Sequence, residues 1–215
     1  MIRTKQLVGV IAAIGLLAGC TSAKTVSNTT TTARTNHPPT ARTSPPATAA
    51  QSGPKTTFGN GSYAVGTAAS DIAPGTYRTA GGSPCGGQRE SDLSGSANSI
   101  IGKSIENGPE IVTILPTDAG FETGGSCATW SPLPSSGPQA TSFGDGAYAV
   151  GIDIAPGTYS TQGGSGTCYW QRNRDFLWNS ASIIADGSES GPLTLTIEPT
   201  DKAVDTQGCG TWNLQ

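Results

Sequence analysis

The chain has a single histidine, His37, among its 215 residues, and this shortage excludes much chemistry. His37 lies in a segment rich in Thr, Ser and Pro, so the remainder of the chain has no histidine base and no histidine metal ligand. Its many glycines form no phosphate-binding fingerprint between a strand and a helix. We therefore expect a protein that is not an enzyme and has neither cofactor nor metal.

Long apolar runs are also scarce, because the only one, Leu7 to Leu17, has 11 residues. A membrane-spanning helix needs roughly 20 apolar residues, so this run is too short to cross a bilayer. Arg3 and Lys5 precede it, which is typical of a secretion signal. We predict a signal peptide over residues 1–19.

The end of this signal, Leu17-Ala18-Gly19-Cys20, resembles the lipobox of bacterial lipoproteins. The resemblance implies cleavage before Cys20 and acyl chains on its sulfur. Two or more acyl chains anchor a protein stably to a membrane. The mature chain is therefore expected on the outer face of the cell membrane, with the membrane as its partner. The alternative is an ordinary secretion signal with a chance cysteine.

Residues 20–56 contain the lipidated cysteine and a stalk dominated by Thr, Ser, Pro and Ala. Such a composition buries too little apolar surface to offset its ordering entropy, so it predicts disorder. From Thr57 onward the chain has six basic and 15 acidic residues, a net charge of −9. This acidic balance argues against nucleic acid as a partner.

A stretch of about 75 residues follows twice. Copy 1 is predicted over 57–131, a linker over 132–141 and copy 2 over 142–215. The clearest matching segments are Asp71-Ile-Ala-Pro-Gly-Thr-Tyr77 and Asp153-Ile-Ala-Pro-Gly-Thr-Tyr159. In copy 2, Leu193, Leu195 and Ile197 alternate with polar residues, a pattern typical of a strand with one buried face. We expect an all-β protein with two small β-sandwich or partly open barrel modules.

Modules of this size usually need a covalent or metal cross-link to be stable. Four cysteines remain besides Cys20, and the duplication favours one disulfide in each copy, Cys85–Cys127 and Cys168–Cys209. A zinc site is the competing interpretation, but it would require CxxC spacing or histidine partners, and neither is present.

Carboxylates are the remaining candidates for catalysis or calcium binding. Those that recur in both copies include Asp71 with Asp153, Asp118 with Asp201, and Glu122 with Asp205. An aspartate beside a turn commonly accepts backbone N–H bonds, and every copy must make its turns. We favour this structural role over calcium binding or an envelope hydrolase with paired carboxylates.

The copies differ most after their first cysteine, where copy 2 is rich in aromatic residues. The ligand-binding candidates in this segment are Tyr169, Trp170, Arg172, Arg174, Phe176 and Trp178. Aromatic rings beside arginines are suited to stacking on a sugar or anchoring a protein partner. The alternative is that the tryptophans fill the core of copy 2.

One apolar pair in copy 1 has no counterpart in copy 2. Ile111 and Leu115 align with Thr194 and Glu198, on the strand face opposite the predicted core. Leaving two such side chains in water would forgo burial worth roughly 1.5–3 kcal/mol each. We expect copy 2 or a partner protein to cover them, with a loop of copy 1 as the alternative.

Motifs such as Cys168-Tyr-Trp and Thr206-Gln-Gly-Cys209-Gly-Thr-Trp212 resemble a small repeat of exported actinobacterial proteins, including mycobacterial ones. The resemblance implies export and a β fold but no mechanism. Together these features predict a cell-envelope lipoprotein that displays two non-catalytic β modules and acts by binding or as a structural component. Its expected partners are a cell-wall glycan, bound through the aromatic segment, or an envelope protein.

Overall fold

The computed structural model describes residues 53–215. The predicted signal peptide, the lipidation site Cys20 and the predicted stalk up to residue 52 lie outside the described residues. The described part is all-β, with 13 strands and two single-turn 3₁₀ segments, Ala97–Ser99 and Ser180–Ser182. None of its helical segments is long and apolar enough to span a membrane.

Copy 1 is built around two long strands that pair along most of their length. Its strands are β1 (Gly61–Ala64), β2 (Gly75–Glu90), β3 (Ile100–Ile114), β4 (Gly120–Gly125) and β5 (Ser131–Pro132). They form one antiparallel sheet in the order β1-β4-β2-β3, and β5 pairs with the start of β2. The β2–β3 register shifts between Thr79 and Cys85.

In copy 2 the strands are divided between two sheets. Its strands are β6 (Ser142–Phe143), β7 (Gly146–Ala149), β8 (Gly157–Thr161), β9 (Cys168–Asn173), β10 (Ile183–Glu189), β11 (Leu193–Ile197), β12 (Ala203–Gln207) and β13 (Trp212–Leu214). The sheet orders are β10-β9-β12-β7 and β11-β8-β13-β6. The sheets of residues 53–215 do not close into a barrel.

Each copy has its own aromatic core around a fully buried tryptophan. Trp130 stacks on Phe58 in copy 1, and Trp212 stacks on Phe143 in copy 2. The predicted alternation in β11 is confirmed, because Leu195 and Ile197 are buried while the threonines between them are exposed. Burial of alternate apolar side chains thus forms one face of the strand.

The two predicted disulfides are both present. Cys85 is bonded to Cys127, and Cys168 is bonded to Cys209. Each joins residues more than 40 positions apart within one copy. In the chain-entropy description a loop of this length stabilises a fold by about 4 kcal/mol.

The recurring aspartates make the turns that the sequence predicts. Asp118 accepts the backbone N–H of Leu115 at 2.9 Å, and Asp201 accepts that of Glu198 at 2.9 Å. Asp71 and Asp153 likewise accept backbone N–H groups of residues three or four positions earlier. Their recurrence therefore reflects turn geometry in both copies.

The two copies pack against each other along a seam formed by β3 of copy 1 and, from copy 2, the turn before β7, the segment after β9, and β12. The backbones approach closely here, since a Cβ atom on Gly108 would lie 2.3 Å from the carbonyl oxygen of Asp145. At one side of the seam, Arg78 of copy 1 forms an ion pair with Asp153 of copy 2 at 2.6 Å.

The seam also accounts for the unmatched apolar pair of copy 1. Ile111 is only 2% exposed, and its carbonyl oxygen accepts a hydrogen bond from the Trp178 indole of copy 2. The prediction that copy 2 covers Ile111 is thus confirmed. Leu115, near the end of β3, is half-buried.

Candidate functional site

A cleft of about 430 Å³ opens along the seam, with walls from both copies. Copy 1 contributes Lys103, Ser104, Ile105, Glu106 and Ile111. Copy 2 contributes Tyr169, Gln171, Asn173, Asp175, Phe176, Trp178, Asn179, Ser180, Ser182, Ile183, Ala203, Asp205 and Gln207. The volume lies in the range of small-molecule sites, and most lining side chains are polar.

One wall of the cleft is a segment of copy 2, Asp175–Asn179, that we call the strap because it bonds to copy 1 across the seam. Thr113 donates its N–H to the Phe176 carbonyl oxygen at 2.9 Å, and Lys103 donates to that of Trp178 at 2.9 Å. The Arg89 guanidinium of copy 1 donates to the Leu177 carbonyl oxygen at 2.9 Å. The strap is therefore held to copy 1 by two backbone N–H groups and one arginine side chain.

Trp178 on the strap fills space in the core of copy 1. Its ring lies 6.0 Å from Phe121 and 6.2 Å from Trp130, and its indole N–H donates to the Ile111 carbonyl oxygen at 2.8 Å. Its backbone φ of 55° is in the left-handed region, which is uncommon for a bulky residue. Packing against copy 1 stabilises this backbone conformation. Trp178 therefore links the two copies and also forms part of the cleft wall.

Only three of the six residues predicted to bind a ligand line the cleft: Tyr169, Phe176 and Trp178. Tyr169 donates its hydroxyl to the side-chain oxygen of Gln171, another lining residue, at 3.3 Å.

The other three predicted residues lie away from the cleft. Trp170 packs against the core of copy 2, as the alternative interpretation of the sequence had it. Arg172 forms an ion pair with Asp201 at 2.6 Å. Arg174 is exposed and donates to the Ile183 carbonyl oxygen at 3.4 Å.

The carboxylates that the sequence offered as catalytic pairs are not assembled in one place. Asp118 is bound by both Nε and Nη2 of Arg89, at 2.8 and 2.7 Å, and Asp201 by the corresponding atoms of Arg172. Of the pairs, only Asp205 lines the cleft. Within residues 53–215, no group of three or more His, Cys, Asp or Glu residues is arranged to hold a metal ion.

Three carboxyl groups along the seam carry shifted pKa values. Burial raises the pKa of Glu106 to about 7, although a hydrogen bond from Gln207 at 2.6 Å opposes the shift. Burial, together with the charge of Glu106, raises the pKa of Asp205 to about 8. Burial also raises the pKa of Glu110 well above its usual value, and the charges of Asp205 and Glu106 add to this effect.

Sequence reasoning missed Glu106 and Glu110 as site residues. The one signal was that Glu110 aligns with apolar Leu193, so a charged residue replaces a strand residue beside the core. Glu106 aligns with Glu189, which is exposed, and so its burial could not be read from the duplication. It is the packing of the two copies that removes Glu106 from water.

The chain belongs to the Rv1352-like extracellular domain family. The family profile matches twice, over residues 55–131 and 140–213. This confirms the tandem repeat of an exported protein, and the matched segments correspond closely to the two predicted copies.

Similar proteins include the uncharacterized protein Rv1352 of Mycobacterium tuberculosis (strain ATCC 25618 / H37Rv) and an uncharacterized protein of Mycobacterium bovis. Each is 34% identical over 82 residues, which cover 32% of this chain and 67% of the relative. No solved structure matches the chain significantly.

Proposed function

We propose that this protein is a non-catalytic binding protein of the cell envelope, whose two β modules hold a hydroxyl-rich glycan in the cleft between them. The observation that carries the proposal is the cleft of about 430 Å³ with walls from both copies. Its occupant would bridge the modules, so neither copy alone would form the complete site. Membership of an extracellular domain family supports exposure of this cleft to wall components.

The lining chemistry supports a sugar as the ligand. The amide side chains of Gln171 and Asn179 line the cleft together with the ring of Tyr169. Amides both donate and accept hydrogen bonds, as sugar hydroxyls do, and an aromatic ring provides apolar surface for a pyranose face. Several carboxyl groups also line the cleft, and they disfavour an anionic ligand.

The same carboxyl groups support binding rather than glycoside hydrolysis. A glycosidase needs one carboxyl group that stays ionised and one that is protonated, so their environments must separate the two pKa values. Here burial raises the pKa of both Glu106 and Asp205, to about 7 and about 8. Neither group is thereby kept ionised as a nucleophile or base.

A glycan array followed by titration calorimetry tests the proposal. We expect binding of soluble cell-wall oligosaccharides, weakened about tenfold in Gln171→Ala, since one or two hydrogen bonds worth about 1 kcal/mol each would be lost. The matched control is Gln88→Ala, which changes the corresponding glutamine of copy 1 outside this cleft. Absence of glycan binding, or equal loss in both variants, would favour an envelope protein as the partner or a purely structural role.

Attachment by lipid on Cys20 is part of the proposal and rests on the lipobox resemblance. Serine has no thiol for lipid attachment, so Cys20→Ser should leave the detergent phase when membranes are partitioned with a phase-separating detergent. Wild-type partitioning of this variant would contradict the lipid anchor and leave the cleft proposal untouched.

A further inference from the structure

The buried carboxylates have two kinds of surroundings, because some pair with arginine and others do not. Asp118, Asp153 and Asp201 are all paired with arginine. Within residues 53–215, Glu106, Glu110 and Asp205 form no ion pair and receive hydrogen bonds only from neutral groups. Their side-chain donors are Gln207 for Glu106 at 2.6 Å, Asn173 for Asp205 at 2.7 Å, and Ser104 for Glu110 at 2.7 Å. Glu110 also accepts the backbone N–H of Ile111 at 3.2 Å.

These three groups come from both copies. Glu106 and Glu110 lie on β3 of copy 1, and Asp205 lies on β12 of copy 2. Gln207 of copy 2 bonds across the seam to copy 1, because its amide donates to the Glu106 carboxylate and to the Ile105 carbonyl oxygen. Separation of the copies would return these carboxyl groups to water, where they ionise easily.

The charged surroundings reinforce the effect. The titratable groups that face the three carboxyl groups, or line the cleft beside them, are Lys103, Asp145, Tyr169, Asp175 and, further along the sheet, Asp186. Lys103 is the one cation lining the cleft in the described part of the chain. The remaining charges are negative, so ionisation of a seam carboxyl group meets repulsion rather than compensation.

We propose that docking of the two copies is controlled by protons: the seam is closed while Glu106, Glu110 and Asp205 are neutral, and it loosens as they ionise. The cleft that the seam forms would open with it. The proposal stands independently of any ligand, because it concerns the ligand-free protein.

The direction follows from the pKa values. Burial raises the pKa of Glu106 to about 7 and that of Asp205 to about 8, against 4.5 and 3.8 for the free side chains. The docked state therefore retains protons that the undocked state releases above pH 4.5 or so. For these two groups, docking is strongest in acid and weakens as the pH rises from about 4.5 to 8.

The described residues offer a clean background for this measurement, since residues 53–215 contain no histidine, the side chain that ordinarily titrates between pH 5 and 8. Two backbone amides report on the seam directly. Lys103 and Thr113 donate their N–H groups to carbonyl oxygens of the strap. Val150 donates within copy 2 and Leu214 donates to Thr141 at the end of the linker, and both amides serve as internal references.

Hydrogen exchange by NMR on the full chain, with both disulfides formed, tests the proposal. Between pH 5 and pH 8 the protection factors of the Lys103 and Thr113 amides should fall by about tenfold or more, because each proton released contributes up to about tenfold per pH unit. The protection factors of the reference amides should remain nearly constant. Parallel behaviour of all four amides would overturn the proposal.

The duplication supplies matched variants. Glu106→Gln with Asp205→Asn keeps side-chain shape but removes the titration of two of the three carboxyl groups, and it should reduce the pH dependence of the seam amides. Glu189→Gln with Glu122→Gln changes the counterparts of the same two positions, which are exposed, and should leave that dependence unchanged. Each single seam variant should remove part of the effect. Wild-type pH dependence in the double seam variant would refute the assignment.

Discussion

The two copies place their large aromatic side chains on different strands. In copy 2, Trp170 of β9 lies over Gly187, where a Cβ atom would be 2.7 Å from the indole. Copy 1 has Gly87 at the position of Trp170, and a Cβ atom there would lie 3.2 Å from the ring of Phe121. Phe121 in turn replaces the smaller Val204. Core volume is thus conserved by exchange between neighbouring strands.

The copies also differ in whether their cores are completed by their own residues. Copy 1 takes Trp178 of copy 2 into its core, whereas a Cβ atom on its own counterpart of that residue, Gly95, would have no neighbours within 4 Å. Gly95 has the same left-handed φ, 69° against 55°, so the turn is shared while the side chain is not. Leu93, the counterpart of Phe176, is 64% exposed. Copy 1 is therefore the acceptor of an aromatic side chain, and copy 2 is its donor.

The largest expected difference between the copies concerns their arginine–aspartate pairs. The Arg89 and Asp118 side chains are 3% and 1% exposed, whereas Arg172 is 17% exposed. Arg89→Ala should lower the free energy of unfolding by about 4 kcal/mol, because it leaves Asp118 charged, buried and unpaired. Arg172→Ala should cost about half as much, since Arg172 is partly exposed and its removal would let water reach Asp201. Urea unfolding at pH 7 measures both.

A second substitution separates the charge effect from lost packing. Arg89→Ala combined with Asp118→Asn leaves no buried charge and keeps a side-chain oxygen for the Leu115 turn. This double variant should recover part of the lost stability. Equal costs for Arg89→Ala and Arg172→Ala would show that the burial of these pairs does not distinguish the copies.

Because Trp178 of copy 2 packs in the core of copy 1, its substitution is expected to destabilise the other copy. Trp178→Ala should cost about 3 kcal/mol, the lower end for removal of a packed aromatic side chain, because Trp178 is half-buried. The loss should appear in copy 1, although the substitution is in copy 2. Hydrogen exchange of the Phe58 amide in copy 1 and the Leu214 amide in copy 2 locates it.

Trp170→Ala is the matched control, since Trp170 packs against the core of its own copy. Its effect should appear at the Leu214 amide before the Phe58 amide. If Trp178→Ala instead accelerates exchange only in copy 2, then the strap does not support copy 1.

Features that depend on one copy could be predicted from the sequence. Alternation in β11, the pairing of Cys168 with Cys209 and the turn role of Asp201 each follow from local pattern or from repetition. Each of these features depends only on residues of the same module, and each recurs because both modules have the same fold.

Features that depend on docking of the copies could not be predicted in the same way. The apolar excess at Ile111 indicated a covered face, but nothing local shows that Trp178 reaches it. Likewise, Glu106 and its counterpart Glu189 are identical residues with different burial. A duplicated sequence shows what the copies share, whereas an interface between unlike faces depends on three-dimensional placement that periodicity does not encode.

The smallest expected difference concerns the covered face itself, and an exchange of residues tests it. Ile111→Thr gives copy 1 the residue of copy 2 and should cost about 2 kcal/mol, since it removes apolar volume and buries a hydroxyl group. Thr194→Ile makes the reverse change at an exposed position and should alter stability by less than about 0.5 kcal/mol. Both residues are β-branched, so strand propensity is retained and burial alone separates the two variants. Urea unfolding at pH 5, where the seam is expected to be closed, gives the comparison. Equal costs would mean that Ile111 gains nothing from copy 2, and the acceptor role of copy 1 would then rest on Trp178 alone.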